Sequence, residues 1–479
     1  MDERLGARDW AVLLVLAGAV FLEGIDIAML NVALPSIRAD LGLSTGMLSG
    51  VVSAYVLGYG GFMLLGGRAA DLLGRRRMFL FWMGVFIVFS GLGGFATEAW
   101  MLLMARFVTG VASAFMAPAG LALVAGNFPR GPRRTKAFGI YAGVGAGGFS
   151  LGLVVGGLLT SLGWRWVFFA PVALSAVILL AAIPLIKDER VLPKRPKGGF
   201  DLAGAFSVTG AMLLLVYGVV RLEHPGDGVW VTVFTFGGGL AFLAAFVAIE
   251  RRASHPLVRL GILRSVPLVR SNLSALLFMA SFAGFQFMVT IYLQEVRGWS
   301  TVQTGLAMLV AGIDVVLSPT VTPRLVDRFG TVRVLFGGLV LGLVAYLLFL
   351  PIGPDTTYAL MFPTMLLLGL AFSLAYGPLT MAGTEGIHED EHGLASGLLY
   401  TAIQFGMALG LSAATAVQVA VLAGRTSDGA RMDAVSAGFL VPVVLAAGAA
   451  LIMVFGLRTR DAATPAPESA PVVTASERV

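Results

Sequence analysis

The chain has 479 residues, of which 57% are hydrophobic and 13% charged, and its mean hydropathy is +0.89. A soluble domain is about 45–50% apolar and about 25% charged, so this composition excludes an ordinary soluble protein and indicates a chain that crosses a membrane many times. The net charge of +6 comes from basic residues spread over short loops, with no basic face that interleaves aromatics, so nucleic-acid binding is not expected.

Cysteine and histidine usage gives no support for metal chemistry. The chain has no cysteine, which excludes disulfides and thiolate metal sites, and its four histidines fall near loops. We therefore expect no metal, no cofactor and no histidine proton relay inside the membrane. The first apolar run is longer than that of a signal peptide and carries two acids, so no cleavable signal peptide is predicted.

Apolar segments of about 20 residues, the length that crosses a bilayer as a helix, occur fourteen times. An even number places both termini on one side of the membrane. If that side is the cytoplasm, 26 of the 33 Lys and Arg residues fall in inner segments, six in outer loops and one inside a span. The positive-inside rule therefore predicts a multi-pass protein of the cytoplasmic membrane with both termini in the cytoplasm. The predicted spans lie near 10–35, 46–66, 78–97, 99–124, 137–160, 166–186, 204–221, 229–249, 271–294, 303–322, 334–352, 358–382, 393–423 and 436–457.

These spans predict an all-α polytopic membrane protein divided into six, two and six helices. A charged, proline-containing connection precedes the middle pair and a basic connection follows it. We expect an N-terminal six-span bundle over 1–187, a linker with two extra spans over 188–269 and a C-terminal six-span bundle over 270–458. Residues 459–479 are rich in Ala, Pro, Ser and Thr, a composition typical of a disordered tail.

The first span carries two acids, Glu23 and Asp26. At a rise of about 1.5 Å per residue, Asp26 lies about 13 Å and Glu23 about 18 Å from the outer end of the span at Pro35. A charge at that depth costs about 3 kcal/mol or more, so both are candidate proton-coupling or cation-binding groups. The two share one helix face, so one carboxyl could exchange protons while the other stays charged. Alternatively, one of them simply pairs with a buried base. Asn31, further along the span, is a candidate cavity-lining residue.

A short basic turn joins spans 2 and 3, and a weaker copy of it joins spans 10 and 11. The first copy runs from Gly67 to Arg77, and four of its residues recur in register in the second. Internal repetition of this kind is typical of secondary transporters. The recurring residues are Arg68, Asp71, Gly74 and Arg77 in the first copy and Arg324, Asp327, Gly330 and Arg333 in the second.

Span 4 carries Arg106, the one basic residue predicted inside the membrane. Because the helix runs inward from Trp100, Arg106 lies about 9 Å below the outer surface, at a depth similar to that of Asp26. We therefore expect an ion pair between Arg106 and Asp26. A purely structural role for this pair is one alternative.

Span 5 has glycines at helical spacing, which allow neighbouring backbones to approach closely. We expect them to form a tight, non-leaking contact between the two bundles. The glycines are Gly139, Gly148, Gly152, Gly156 and Gly157.

The second half offers three further candidates. Asp314 lies in span 10, about 15 Å from its outer end, and is a second candidate coupling or cation-binding acid. Gln404 in span 13 and Phe282 in span 9 are candidate cavity-lining residues, with a core or lipid-facing position as the alternative for Phe282.

Together these motifs resemble the major facilitator superfamily in its fourteen-span drug:proton antiporter branch, over nearly all of residues 10–457. The turn over 67–77 matches the loop signature G-x-x-x-D-x-x-G-R-R-x at every fixed position. Span 1 resembles the branch's L-D-x-T-x-V-N-V-A-L-P, and span 4 resembles R-x-x-Q-G with Thr109 replacing the glutamine. Span 5 matches the antiporter motif G-x8-G-x3-G-P-x2-G-G at every glycine, but Leu153 replaces the proline.

The resemblance implies the major facilitator fold, two six-helix bundles plus two extra central spans, working by alternating access as a monomer. It implies a proton-coupled antiporter that exports lipophilic or cationic drug-like compounds, with a small-molecule substrate, protons and membrane lipid as its partners. It implies a role for Arg106 in proton coupling and for Asp71 as an inner gate residue. For the arginines that follow Asp71, the alternative is contact with anionic lipid, worth about 1 kcal/mol each. Those arginines are Arg75, Arg76 and Arg77.

Two other functions stay open. The same scaffold could export one endogenous metabolite, such as an antibiotic or a siderophore. A transporter-derived membrane sensor or interaction protein is the alternative from another class. The glycine clusters lack the strand and the Lys-Ser/Thr pair of a phosphate-binding loop, so neither enzymatic activity nor ATP-driven transport is expected.

Overall fold

The computed structural model describes residues 5–128, 132–186, 201–221, 228–253, 256, 258–384, 387, 392–422, 425 and 427–461. All regular secondary structure in these residues is helical. The predicted disordered tail beyond 461 and most of the predicted linker, 187–200, lie outside them.

Six helices form the N-terminal region, and a further pair forms the middle region. Their bounds are α1 (Ala7–Leu41), α2 (Thr45–Leu73), α3 (Arg75–Gly94), α4 (Ala99–Asn127), α5 (Pro132–Leu162), α6 (Trp166–Leu185), α7 (Leu202–Arg221) and α8 (Val229–Glu250). The C-terminal region contains α9 (Val266–Ile291), α10 (Thr301–Leu309), α11 (Asp314–Thr320), α12 (Thr322–Phe329), α13 (Thr331–Phe349), α14 (Tyr358–Thr384), α15 (His392–Leu422), α16 (Asp428–Gly438) and α17 (Leu440–Asp461). A 3₁₀ turn, Val310–Ile313, joins α10 to α11, so the predicted span 10 is a broken helix.

Within the described residues, twelve helices are long and apolar enough to cross a membrane. The predicted number of fourteen is therefore not confirmed. The other two predicted spans fall on α2 and α7, whose shorter apolar stretches are Gly50–Met63 and Ala203–Leu215. Both stretches are bounded by positions whose side chains lie outside the described residues.

The helices pack as two groups with the middle pair beside them. In the N-terminal group α1 packs on α5, and α4 packs on α2 and α3. In the C-terminal group α9 packs on α15 and α17, and α13 packs on α14. The groups meet where α5 contacts α10 and where α2 contacts α15, and α7 lies against both α2 and α15. The hydroxyl of Thr209 on α7 donates a hydrogen bond to the backbone oxygen of Gly61 on α2.

Two structural features repeat between the halves. The basic turns both place their glycine at positive φ, +102° for Gly74 and +83° for Gly330, a conformation that residues with a side chain rarely adopt. Both glycines end one helix and begin the next. The close packing of α1 on α5 also recurs, because Gly406 and Gly410 of α15 lie against the backbone of α9. The sequence repeat therefore corresponds to a repeat in structure.

We call the face on which α1 begins the N-terminal face and the face on which it ends the opposite face. Two polar contacts between the halves lie toward the opposite face. Arg38 at the end of α1 forms an ion pair with Glu295, with both carboxylate oxygens 2.9 Å from Nη1. The side-chain amide of Gln294 donates to the backbone oxygen of Val32 at 3.0 Å. The halves are thus closed against each other on the opposite face.

Candidate functional site

The expected ion pair between α1 and α4 is present. Nη1 of Arg106 lies 2.7 Å from Oδ2 of Asp26, and each side chain is only 2% exposed. The guanidinium also lies over the ring of Tyr55, 4.4 Å from its centroid. Thr109, which stands where the motif has glutamine, donates its hydroxyl to the backbone oxygen of Arg106. Burying an unpaired ion costs several kcal/mol of free energy, on the order of 3–5 when one partner is removed, so each of these two charges stabilises the burial of the other.

Glu23 lies one helical turn from Asp26 but in a different environment. Its side chain is half-buried, and its hydrogen-bond partner is the hydroxyl of Tyr59 on α2. The negative charge of Asp26 acts on it, as expected for acids three residues apart on a helix. Asp26 is thus paired with an arginine, whereas Glu23 is bonded to a neutral hydroxyl.

A row of aromatic rings crosses the boundary between the halves close to these groups. Phe149 of α5 lies 6.1 Å from Phe282 of α9, and Phe282 lies 4.8 Å from Phe372 of α14, measured between ring centroids. Phe372 stacks on Tyr376 at 5.2 Å. Phe282 is therefore an internal residue at the junction of the halves, and the lipid-facing alternative is wrong.

Two of the remaining candidates lie in the second half, and Asn31 lies in the first. Asp314 begins α11, is 9% exposed, and accepts a hydrogen bond from the backbone N–H of Val315. Gln404 is 4% exposed and lies against Gly60 of α2, at the boundary between the halves. Asn31 is half-buried on α1. Cavity lining by Asn31 and Gln404 stays a prediction.

The basic turn over 67–77 has one contact that the sequence did not indicate. The Arg76 guanidinium donates to the backbone oxygens of Ile186, at 2.6 Å, and Ile183, at 2.8 Å. Both oxygens belong to the end of α6, where helix carbonyls lack partners and a positive charge is favourable. Arg76 therefore holds two helices of one half together. The side chain of Asp71 lies outside the described residues, so its role at an inner gate stays a prediction.

The expectation for the span 5 glycines is wrong for three of them. Gly148, Gly152 and Gly156 lie against α1, in the same half, where an added Cβ would meet the backbone of α1. Of the four glycines whose surroundings the structure describes, Gly157 alone contacts the other half, because its Cβ position faces the backbone of Thr301 and Val302 on α10. Glycine spacing predicts a helix face that admits a close neighbour, but it does not identify the neighbour. Gly139 lies in α5, and its surroundings are outside the described residues.

Close contact with α10 continues beside Gly157. The hydroxyl of Thr301 donates to the backbone oxygen of Gly157 at 3.1 Å. Gly305 lies against the backbone oxygen of Leu153, the residue that replaces the motif proline, and Gly312 lies against Ser150. The boundary between α5 and the broken helix of span 10 is thus formed largely by backbone against backbone.

The ion pair on the opposite face should contribute only a small free energy to closure of that face. Arg38 and Glu295 are each about one third exposed, at 33% and 30%, and exposed pairs contribute about 1 kcal/mol or less. Glu295→Gln should therefore raise the population open on the opposite face by no more than about fivefold. The reporter is a single cysteine, Ser150→Cys, labelled by an impermeant maleimide from that face; the chain has no native cysteine.

Asp40→Asn is the matched control for this labelling. It breaks an exposed pair with Arg165, at 2.9 Å, in which both residues belong to the N-terminal half. We expect no change in labelling of Ser150→Cys in this variant. An equal effect of Asp40→Asn and Glu295→Gln would contradict a role for the pair that bridges the halves.

Comparison with known proteins agrees with this architecture. The family model of the Major Facilitator Superfamily matches residues 16–411. The puromycin resistance protein pur8 of Streptomyces alboniger is 34% identical over 462 residues, covering 93% of this chain and 90% of that protein. The cephamycin export protein CmcT of Amycolatopsis lactamdurans is 35% identical over 407 residues, or 82% of each chain. An auto-inhibited peptide transporter of the POT family has the same fold, with a TM-score of 0.68, 16% identity, and coverage of 96% and 98%.

These findings confirm the resemblance drawn from the motifs, and with it a transporter rather than an enzyme. The chain spans a membrane several times and handles small molecules, as its relatives in this group do. The family match covers the ion pair as well as the repeated basic turns. The chain belongs to the major facilitator superfamily.

Proposed function

We propose that this protein is a proton-coupled antiporter that exports lipophilic or cationic drug-like compounds across the cytoplasmic membrane by alternating access. The observation that carries the proposal is the buried Asp26–Arg106 pair beside the half-buried Glu23. Relatives named for antibiotic resistance and export support the substrate class.

The positive-inside count assigns the N-terminal face to the cytoplasm. Closure on the opposite face then corresponds to an inward-facing state that is ready to take substrate from the cytoplasm. We assign α2 and α7 as the two remaining spans, which gives fourteen, with bundles over 1–187 and 270–458 and the extra pair between them. Both termini are cytoplasmic in this arrangement, and the functional unit is one chain.

The ion pair suits proton coupling because its two charges compensate each other only while Asp26 is ionised. A proton that reaches Asp26 from the outer side leaves the Arg106 charge uncompensated in a low-dielectric interior. The conformation of lowest free energy then differs between the protein with Asp26 protonated and the protein with Asp26 ionised. This difference is what couples a proton to a conformational change. Asp71 acts at the inner gate in this scheme.

The pH gradient and the membrane potential supply enough free energy to drive transport without ATP. Exchange of one proton for a monovalent cation is electrically silent and provides about 1.4 kcal/mol, or about tenfold accumulation, per pH unit. A second proton, or a neutral substrate, adds about 2.3 kcal/mol per 100 mV of membrane potential. Asp314 in the other half is the candidate for that second proton.

Replacing Asp314 by asparagine should therefore remove the dependence of transport on the membrane potential, while transport itself continues. We expect Asp314→Asn proteoliposomes to exchange a monovalent cation for a proton while losing the acceleration by an imposed membrane potential. The measurement compares uptake of the same cation with a pH gradient alone and with a potential alone. Equal responses to potential in Asp314→Asn and the unaltered protein would exclude this role for Asp314.

Export of one endogenous antibiotic is the second candidate, and the printed name of the cephamycin export relative favours it. A panel of lipophilic cations and neutral antibiotics in everted vesicles separates the two. Broad transport supports multidrug export, and transport of a single antibiotic supports the second candidate. No transport of any panel member, with binding retained, would instead support the sensor alternative.

A further inference from the structure

The two halves meet along two seams, one between α5 and span 10 and the other between α2 and α15. The repeat makes these seams equivalent. Span 2 and span 10 both precede a copy of the basic turn, and α5 and α15 both pack their glycines on the first helix of their half. The middle pair breaks this equivalence, because α7 lies at the second seam in contact with both α2 and α15.

The seam between α5 and span 10 opens toward the N-terminal face. One face of α5 meets span 10 at Gly157 and at Ser150, which lies against the 3₁₀ turn Val310–Ile313. Gly143 lies on the same helix face as Ser150, since seven residues make almost two turns. In the described structure, however, no atom of another helix lies within 4 Å of the Cβ position of Gly143 or of Gly147. Space therefore lies beside α5 below the break in span 10.

The equivalent seam is covered by α7. The hydroxyl of Thr209 donates to the backbone oxygen of Gly61 on α2 at 2.8 Å, and the side chain of Leu213 lies 3.5 Å from the Cβ position of the same glycine. On the other side of the seam, Leu394 and Leu398 in the first two turns of α15 pack on the buried apolar cluster of the middle pair. The middle pair thus lies across the seam from α2 to α15.

We propose that the middle pair is a seal over one of the two lateral openings between the halves, and that lipophilic substrate enters from the bilayer through the other, between α5 and α11. The inference rests on the proposed function, because it assumes a small lipophilic substrate. Such a compound concentrates in the hydrocarbon of the bilayer, from which an opening at the side of the protein is the direct route.

The need for a seal follows from the conformational change. Closure of the halves on the opposite face separates them toward the N-terminal face, and equivalent seams separate alike. The interior holds the buried charges of Asp26 and Arg106, and exposing charged or polar groups to hydrocarbon is costly. A second opening to lipid is therefore unfavourable, and α7 closes it, whereas the glycines of α5 leave the first opening clear.

The first test measures how fast single cysteines at the two seams react with N-pyrenylmaleimide, which partitions into the bilayer. The full-length protein is held in lipid nanodiscs, and the chain has no native cysteine. Gly143→Cys should react at least roughly tenfold faster than Gly61→Cys, because a covered side chain reacts only after local opening. An added Cβ meets no atom closer than 3.5 Å at either position, so both variants should fold. Equal rates would overturn the proposal.

Leu213→Ala tests whether α7 is the cover. Removing the side chain that lies over Gly61 should raise the rate of Gly61→Cys by roughly threefold or more, without changing the rate of Gly143→Cys. Leu215→Ala is the matched control, because this leucine faces Gly239 of α8. An equal increase in the two leucine variants would indicate general loosening of the middle pair and would contradict a specific seal.

The second test determines whether substrate uses the opening beside α5. N-pyrenylmaleimide attached to Gly143→Cys after membrane insertion should stop transport of tetraphenylphosphonium, a lipophilic cation, into everted vesicles. The control is the same adduct on Phe206→Cys, since Phe206 is 73% exposed on the first turns of α7. This modified control should transport at the rate of the unmodified protein. Unchanged transport by modified Gly143→Cys would remove the route.

Failure of this inference and failure of the proposed function give different results. Transport that the adduct at Gly143→Cys stops, but that ignores the proton gradient, would leave the seal and the route standing and remove the antiport proposal. Proton-driven transport that the adduct does not affect, with equal reactivity of the cysteines at both seams, would do the reverse.

Discussion

Asp26→Asn is expected to abolish substrate-induced proton release and to destabilise the protein. The variant cannot take up a proton at this position, and it leaves Arg106 as an uncompensated charge in a site that is 2% exposed. Removing one partner of a buried ion pair costs about 3–5 kcal/mol. We expect a clear decrease in thermal stability and no alkalinisation or acidification on substrate addition in everted vesicles.

The double variant Asp26→Asn with Arg106→Gln separates these two effects. Replacing both charges removes the uncompensated arginine, so most of the lost stability should return. Proton release should remain absent, because neither variant has an ionisable carboxyl at position 26. Full proton coupling in the double variant would show that the pair serves the structure alone.

Gly157→Val is expected to stop transport while leaving the fold intact. The new side chain would meet the backbone of Thr301 and Val302 on the other half, so the halves could no longer close on the opposite face. The protein should therefore remain open on that face. The measurement is labelling of Ser150→Cys by an impermeant maleimide, which should become fast, together with a thermal unfolding temperature close to that of the unaltered protein.

Gly152→Val is the matched control, because it makes the same chemical change five residues away on α5. Its side chain would meet Ile25 and Ala28 of α1 in the same half. Overpacking within a bundle costs about 1–3 kcal/mol, so this variant should lose stability without a specific increase in labelling. The same result for both variants would contradict the assignment of Gly157 to the boundary between the halves.

Much of the fold follows from local sequence properties. Long apolar runs predict the helices, and the repeated basic turn predicts the two sharp turns, where Gly74 and Gly330 both adopt positive φ. The Asp26–Arg106 pair could be predicted because depth in a membrane follows directly from helix rise, and two opposite charges at one depth have a strong reason to meet.

Contacts that depend on which helices are neighbours could not be predicted. Arg38 and Glu295 are 257 positions apart, and neither lies in a sequence motif that predicts the other as its partner. The span 5 glycines indicated a helix face for close packing. Whether α1 or α10 packs on that face depends on the arrangement of all the helices.

The most direct test of the central claim is export of a lipophilic cation from everted vesicles of the unaltered protein under controlled gradients. If proton coupling through Asp26 drives transport, accumulation should cease when the pH gradient and the membrane potential are both collapsed, and substrate addition should release protons only while Asp26 is present. Accumulation that continues at the same rate after both gradients are collapsed would contradict the account.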